Sequence, residues 1–219
     1  MHKLTLVIGN KNYSSWSLRP WVLLKYFSIP FEEILVPLRQ GNYKTELLKY
    51  SPTGKAPTLI HGAVKIWESL AICEYLADIF PELKMWPEKL EDRALARSIS
   101  AEIHAGFSAL RTQMPMNLRS FYPGKGRSED VDNDIYRILE IWDGCRQKFK
   151  NDGPFLFGSF TIADAMFLPV VTRFKTYGVT LSGLSSDYSN TILNLSAYRE
   201  WQEEGIKEPW IIKASEIYT

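Results

Sequence analysis

Hydrophobic positions in the first third of the chain switch between two periods. Residues 4–8 form a short apolar run that predicts a strand, residues 19–27 follow a helical spacing, and residues 31–36 return to a strand pattern. A strand, a helix and a second strand of these lengths predict a right-handed crossover between two parallel strands.

The next segment predicts a hairpin and a helix. Residues 58–60 and 64–67 are short apolar runs on either side of a loop that contains Gly62, which favours an antiparallel pair. Residues 69–80 then follow a helical spacing. With a short helix before the hairpin, the order β-α-β-α-β-β-α predicts an α/β, thioredoxin-like domain over residues 1–80.

The strand pattern largely disappears after a linker predicted at 81–89, which contains Pro81 and Pro87. We expect an all-α domain over residues 90–219. Pro115 should kink or break its first helical segment. The helical segments predicted from the spacing are 90–121, 130–150, 161–177 and 190–204.

Composition narrows the function classes. The 219 residues carry a net charge of +1, which gives no indication of a nucleic acid or an acidic membrane surface as a partner. No apolar run approaches the roughly 20 residues that span a bilayer, and the first run is too short for a signal peptide, so we expect a cytoplasmic protein. Cys73 and Cys145 lie too far apart to suggest a metal site or a disulfide framework, and we expect Cys73 to be an inert buried thiol.

The sequence GKAPTL at 54–59 predicts a loop that enters a strand through the Ala56-Pro57 bond. An X-Pro bond has ready access to the cis form. A cis bond here would turn the backbone N–H and C=O of Ala56 outward, where an extended peptide could pair with them as an added strand. The alternative is that Pro57 is an ordinary trans turn residue.

Glu68 and Ser69 follow the second hairpin strand, where a helix is predicted to begin. The free amides and the dipole of a helix N-terminus favour a carboxylate. The two residues could also be only a strand end and a helix cap. Together with Pro57, they predict a site for a small anionic peptide.

Two more motifs lie on either side of these residues, NYSSWSLRP at 12–20 and GSFTIAD at 158–164. The four motifs, in this order, resemble those of the cytosolic glutathione transferases. The first is similar to the serine motif of the zeta and theta-like classes, and the last to the capping segment of the family's helical domain. This resemblance extends over nearly the whole chain.

The resemblance implies glutathione as a co-substrate and no metal. Glu68 would hold the γ-glutamyl amine and Ser69 its carboxylate. Ala56 and Pro57 would hold the backbone of the tripeptide, and Lys55 or Gln40 would contact the glycyl carboxylate.

The resemblance places Ser14 as the hydroxyl that activates the glutathione thiol, with the adjacent Ser15 as the alternative and Tyr13 as a lower-ranked rival. An ordinary thiol with a pKa near 8.5 is only about 3% thiolate at pH 7, so a hydrogen-bond donor at the sulfur is useful. Serines before a helix are also good N-caps, and Ser17 could be that cap.

Trp16 stands where the zeta class usually carries a cysteine, two positions after its serine, which argues against a maleylacetoacetate-type isomerisation. We predict that the pocket for the second substrate is lined by residues near this motif and on one face of the first long helix. These residues are Tyr13, Trp16, His104, Phe107 and Arg111, of which Arg111 could steer an acidic electrophile.

Thr161 and Asp164 have the spacing of a capping box, in which two side chains satisfy reciprocal backbone donors. We expect them to stabilise the fold and not to act in catalysis.

The motifs therefore predict a glutathione transferase that conjugates glutathione to a small electrophile, in a detoxification role. The family resemblance also implies a homodimer. Two alternatives stay open: a glutathione-dependent isomerase or peroxidase on the same fold, and a non-catalytic protein that binds a ligand or docks on a partner.

Overall fold

The computed structural model describes residues 3–218, so the ends of the two predicted domains, residues 1–2 and 219, lie outside the described residues. The α/β architecture followed by helices is as predicted. The elements in chain order are β1 (Leu4–Ile8), α1 (Ser15–Tyr26), β2 (Phe31–Leu35), α2 (Tyr43–Leu48), β3 (Thr58–His61), β4 (Val64–Trp67), α3 (Ser69–Ile79), α4 (Leu90–Ala105), α5 (Ser108–Gln113), α6 (Glu129–Phe149), α7 (Ile162–Tyr177), α8 (Gly183–Leu193) and α9 (Ser196–Lys207).

The four strands form one mixed sheet in the order β2-β1-β3-β4. β1 pairs with β2 in parallel, as the crossover requires, and the other two pairs are antiparallel. Side chains of β1 alternate between the two faces. Leu6 and Ile8 join the large core that extends into the helical part, whereas Val7 packs with Leu47 of α2 in a small second core.

α7 lies at the centre of the helical part, as the sequence predicts. Every one of its residues except Lys175 is buried, and the helix packs against α1, α4 and α8. The predicted capping box at its start is confirmed. Asp164 accepts from Thr161 N–H at 2.8 Å, and its other oxygen accepts from Leu156 N–H at 3.0 Å.

Two helix predictions are wrong. The segment 90–121 has a break at Gly106 and Phe107 that was not predicted, where Phe107 adopts a left-handed conformation with φ 58°. A Cβ at Gly106 would lie 2.9 Å from the Glu102 carbonyl oxygen, so this exit from α4 favours glycine. The predicted break at Pro115 is confirmed, since α5 ends at Gln113, before that proline. The segment 190–204 is two helices, α8 and α9, separated at Asn194, and most of α8 lies before the predicted start.

A 3-10 turn at Pro81–Leu83 connects α3 to the helical part. The division into domains at 81–89 stays a prediction. Within residues 3–218, no helix is long and apolar enough to cross a membrane.

Candidate active site

The loop before β3 has the predicted backbone. The Ala56-Pro57 bond is cis. Pro57 is buried and Lys55 is exposed, so this loop presents one charged side chain at the protein surface next to a fixed turn. Thr58 Oγ1 donates to the Lys55 carbonyl oxygen at 3.3 Å, which ties the loop to the start of the strand.

Glu68 connects β4 to α3 in a strained conformation, with φ 68° and ψ 125°. A non-glycine residue held in such a region costs on the order of 1–3 kcal/mol, and strain of this kind is concentrated at functional sites. Its side chain makes no capping bond to α3 and its carboxylate is about half exposed. Ser69 is the first residue of the helix and is 1% exposed.

A cavity of about 190 Å³ lies between this loop and the start of α3. The structure brings together there most of the residues that the sequence predicts for the tripeptide. Gln40 is not among them, and its Nε2 donates to the Ile211 carbonyl oxygen at 3.3 Å. The residues that line the cavity are Trp16, Thr53, Lys55, Ala56, Pro57, Trp67, Glu68 and Ser69.

Sequence reasoning missed Thr53 and Trp67 at this cavity. Trp67 is the last residue of β4 and is 43% exposed, although large aromatic side chains are usually buried. Its position directly before Glu68 is the one signal that could have identified it. Thr53 carries no such signal.

The two serines of the 12–20 motif lie at the start of α1. This helix begins at Ser15, four residues before its predicted start at Arg19. Pro20 is therefore in the second turn, not the first. Ser14 is the N-cap, and its Oγ accepts from Ser17 N–H at 3.4 Å. Ser15 is the first helical residue, and both serine side chains are buried.

Trp16 is the centre of a charged cluster next to the cavity. The Arg19 guanidinium lies 4.3 Å from the indole ring centre and that of Arg111 lies 5.8 Å from it. The ring of His104 meets the indole edge-on at 5.2 Å, and its Nε2 lies 3.6 Å from a Glu68 carboxylate oxygen. Burial, and after it the charges of Arg19 and Arg111, lower the pKa of His104, while Glu68 opposes them.

His104 and Arg111 thus both contact Trp16, but not because they share one face of a single helix, as predicted. They lie on different helices, α4 and α5, and it is the turn at Gly106 and Phe107 that brings Arg111 back towards Trp16. Phe107 itself is buried in the large core, at 8% exposure.

Two buried arginines were missed by sequence reasoning. Arg19 donates from Nε to the Met166 carbonyl oxygen and from Nη1 to Ser69 Oγ, at 3.1 and 3.5 Å. Arg173 donates from Nη2 to Ser15 Oγ at 3.2 Å. Neither forms an ion pair with a carboxylate in the described part of the chain. Burial lowers the pKa of Arg19 to about 9 and that of Arg173 to about 10.

Tyr13 does not point freely into this region. Its hydroxyl donates to Glu216 and accepts from Arg119 Nη2 at 2.8 Å. Burial and the Glu216 carboxylate raise the pKa of Tyr13, against the effect of Arg119. The C-terminal segment therefore covers Tyr13.

Cys73 is a buried thiol, as predicted. It is 0% exposed in α3, and burial raises its pKa to about 12. A thiol in this protonated state is a poor nucleophile at neutral pH.

Comparison with known proteins agrees with this geometry. A family model for the glutathione S-transferase N-terminal domain matches residues 13–79, and a model for the C-terminal domain of the same family matches residues 94–203. The chain belongs to the glutathione S-transferase family.

Individual relatives within the glutathione S-transferase family are distant. Glutathione S-transferase 1 of Dianthus caryophyllus is 38% identical over 42% of this chain, and glutathione S-transferase L3 of Arabidopsis thaliana is 28% identical over 72% of it. These matches span 42% and 62% of the relatives' own length.

A solved glutathione transferase homologue from Burkholderia, with bound glutathione, superposes on the structure with a TM-score of 0.71. It is 23% identical, and the superposition covers 95% of this chain and 100% of that one. At this identity the likeness shows the glutathione S-transferase fold.

Proposed function

We propose that this protein is a glutathione transferase that joins the sulfur of glutathione to a small electrophile. The observation that carries the proposal is the cavity in which an exposed carboxylate, Glu68, adjoins a buried hydroxyl at a helix start, Ser69. This pair matches the ammonium and carboxylate of a γ-glutamyl group. The family membership and the relatives named as glutathione transferases support the same activity.

Each end of the tripeptide has a partner in this arrangement. Glu68 binds the ammonium, while Ser69 Oγ and the free amides of α3 bind the γ-glutamyl carboxylate. The backbone of Ala56 pairs with the extended peptide. Lys55, which lines the cavity, is a better partner for the glycyl carboxylate than Gln40, which does not.

The serine pair supplies the chemistry. A serine hydroxyl donates a hydrogen bond to the sulfur, so the thiol releases its proton to solvent more readily. Lowering the thiol pKa from about 8.5 by about 2 makes roughly three quarters of it thiolate at pH 7 and corresponds to about 2.7 kcal/mol. A charge-assisted hydrogen bond plus the start of α1 is of this size.

The thiolate then attacks the electrophilic carbon and forms a C–S bond. In a substitution, the leaving group departs with the electron pair of its bond to that carbon. In an addition to a double bond, the neighbouring carbon takes up a proton from solvent. Trp16 and Arg111 form the side of the site where this second substrate would lie, and holding two reactants in attack geometry accounts for much of the rate.

Calorimetric titration with glutathione, and with its analogue that carries a methyl group in place of the thiol, tests the site. We expect both to bind, because Glu68 and Ser69 recognise the shared glutamyl end. No binding of either peptide to the folded protein would contradict the proposal and favour a docking protein of this fold.

Thiol counting during turnover with a chlorodinitrobenzene tests the reaction. Conjugation consumes one thiol for each product molecule, whereas isomerisation returns it. Turnover of a cis-unsaturated keto acid at constant thiol concentration, with no turnover of the chlorodinitrobenzene, would replace conjugation by isomerisation in the proposal. We also expect the protein to be a homodimer. Light scattering on the protein as it leaves a size-exclusion column would measure the mass of the assembly.

A further inference from the structure

Ser14 and Ser15 are adjacent in sequence, but their hydroxyl groups have different partners. Ser14 Oγ donates to Ser17 Oγ at 2.8 Å, and Ser17 Oγ in turn accepts from Gly9 N–H at 3.1 Å. A hydroxyl has one proton to donate. While this chain of bonds is kept, Ser14 has no proton to offer to a sulfur atom.

Ser15 is in the opposite situation. Its Oγ accepts a hydrogen bond from Arg173 Nη2 at 3.2 Å, and no acceptor for its own proton is found among residues 3–218. The guanidinium occupies one side of the oxygen, so the O–H bond must point away from Arg173. A cationic donor on the oxygen also makes the O–H group a stronger donor.

The guanidinium of Arg173 is fixed by two more bonds. Its Nε donates to the Met114 carbonyl oxygen at 2.9 Å, and its Nη1 to the Pro169 carbonyl oxygen at 3.1 Å. Arg173 is 5% exposed, and these two bonds hold its guanidinium in place beside Ser15. Met114 and Pro169, which hold the guanidinium, both belong to the helical part of the protein, so that part fixes the contact with Ser15.

The charges around this pair are mostly positive. Arg111 from α5 lowers the pKa of Arg173 after the larger effect of burial, and Tyr177 on α7 opposes it. The charge of Arg173 also lowers the pKa of Arg19 on α1, after the larger effect of burial. With a pKa of about 10, Arg173 carries its charge at neutral pH. Such surroundings favour an anion over its neutral form.

We propose that Arg173 is a positioning residue that directs the Ser15 hydroxyl towards the glutathione sulfur, so that Ser15, and not Ser14, stabilises the thiolate. This inference rests on the proposed function. It means that α7, which lies outside the predicted glutathione-binding domain, takes part in thiol activation.

The test is a pH titration of bound glutathione, followed by the ultraviolet absorbance of the thiolate, in the full-length protein. We expect Ser15→Ala to lower the thiolate fraction at pH 7 roughly five- to tenfold. Ser14→Ala should lower it by less than half as much. Ser98→Ala is the matched control, because Ser98 Oγ donates to the Ala94 carbonyl oxygen on an exposed part of α4.

Arg173→Gln should lower the thiolate fraction as much as Ser15→Ala does. Arg173→Lys should lower it less, because lysine keeps the positive charge although it lacks the planar guanidinium group. The double variant Ser15→Ala, Arg173→Gln should be no worse than Ser15→Ala alone, because Arg173 acts through that hydroxyl. If Arg173 had only a structural role, the double variant would lose more thiolate than Ser15→Ala alone. Ser15→Thr should retain most of the thiolate.

Two results would overturn the proposal. One is a larger loss in Ser14→Ala than in Ser15→Ala, which decides the matter even where the Arg173 variants do not fold. The other is a double variant Ser15→Ala, Arg173→Gln in which the thiolate fraction falls by the product of the two single-variant factors, which would show that the residues act independently. Calorimetry separates this from the proposed function: a wild type that binds no glutathione refutes both, whereas normal binding with an unchanged thiolate in Ser15→Ala refutes this inference alone.

Discussion

The Arg19 guanidinium donates to Ser69 Oγ at 3.5 Å, so a buried cation lies directly behind the hydroxyl at the start of α3. Arg19 is 2% exposed and has no carboxylate partner among the described residues. A buried charge without a counterion is costly. In the proposed complex, a carboxylate bound at Ser69 would lie close to that charge and compensate it.

Ser69→Ala should weaken glutathione binding. It removes one hydrogen bond to a charged group, worth about 1.5–3 kcal/mol, which is roughly a 10- to 150-fold increase in Kd. Isothermal titration calorimetry with glutathione measures this, with Ser98→Ala as the control at an exposed helix position. An unchanged Kd would remove Ser69 from the site.

Arg111→Gln should impair turnover of an acidic electrophile more than that of a neutral one. A half-buried guanidinium next to Trp16 attracts a carboxylate with about 1 kcal/mol, which is roughly fivefold in kcat/KM. The measurement compares a chlorodinitrobenzene with its carboxylate-bearing analogue. Equal losses for both would show that Arg111 does not select the charge of the electrophile.

Tyr13→Phe should leave the pKa of the bound thiol close to that of the wild type. The Tyr13 proton is donated to Glu216, so its loss removes no donor from the sulfur. The thiolate titration described for Ser15 measures this, and Ser15→Ala serves as the comparison that does respond. A rise in the Tyr13→Phe thiol pKa as large as that in Ser15→Ala would place Tyr13 at the sulfur.

His104 should titrate below the ordinary histidine pKa of about 6.5. Burial and the charges of Arg19 and Arg111 disfavour its protonated form in the folded protein. As the pH falls through the ordinary pKa, the unfolded chain takes up this proton first, so His104 makes folding less favourable at acidic pH.

An NMR titration of the histidine ring protons measures the His104 pKa, and His104→Gln identifies its signal. The same variant should lose less stability than the wild type on acidification through that range. A titration midpoint at or above 6.5 would contradict the expected direction.

Asp164→Ala should destabilise the protein by about 2–4 kcal/mol, because it leaves the buried N–H groups of Leu156 and Thr161 without an acceptor. Urea unfolding followed by circular dichroism measures the loss. Asp78→Ala, at an exposed position of α3, is the control and should change stability by less than about 0.5 kcal/mol.

Activity per folded molecule of Asp164→Ala should match that of the wild type. A specific loss of activity without a loss of stability would show that Asp164 does more than cap α7.

The sequence alone determined the features that depend on neighbouring residues. The parallel crossover at β1, the hairpin of β3 and β4, and the capping box of Thr161 and Asp164 follow from short-range periodicity and local hydrogen bonds, and all three are in the structure. Pro57, Glu68 and Ser69 could be found for the same reason, since each belongs to a local turn or helix start.

Only the tertiary structure decided which distant side chains meet. Arg173 lies 158 positions from Ser15, and no spacing rule connects the two. His104 and Arg111 both reach Trp16 because of a left-handed turn at Phe107. The hydrogen bond from Tyr13 to Glu216 joins residues 203 positions apart. Side-chain contacts of this kind arise from the packing of helices against one another, which local periodicity does not encode.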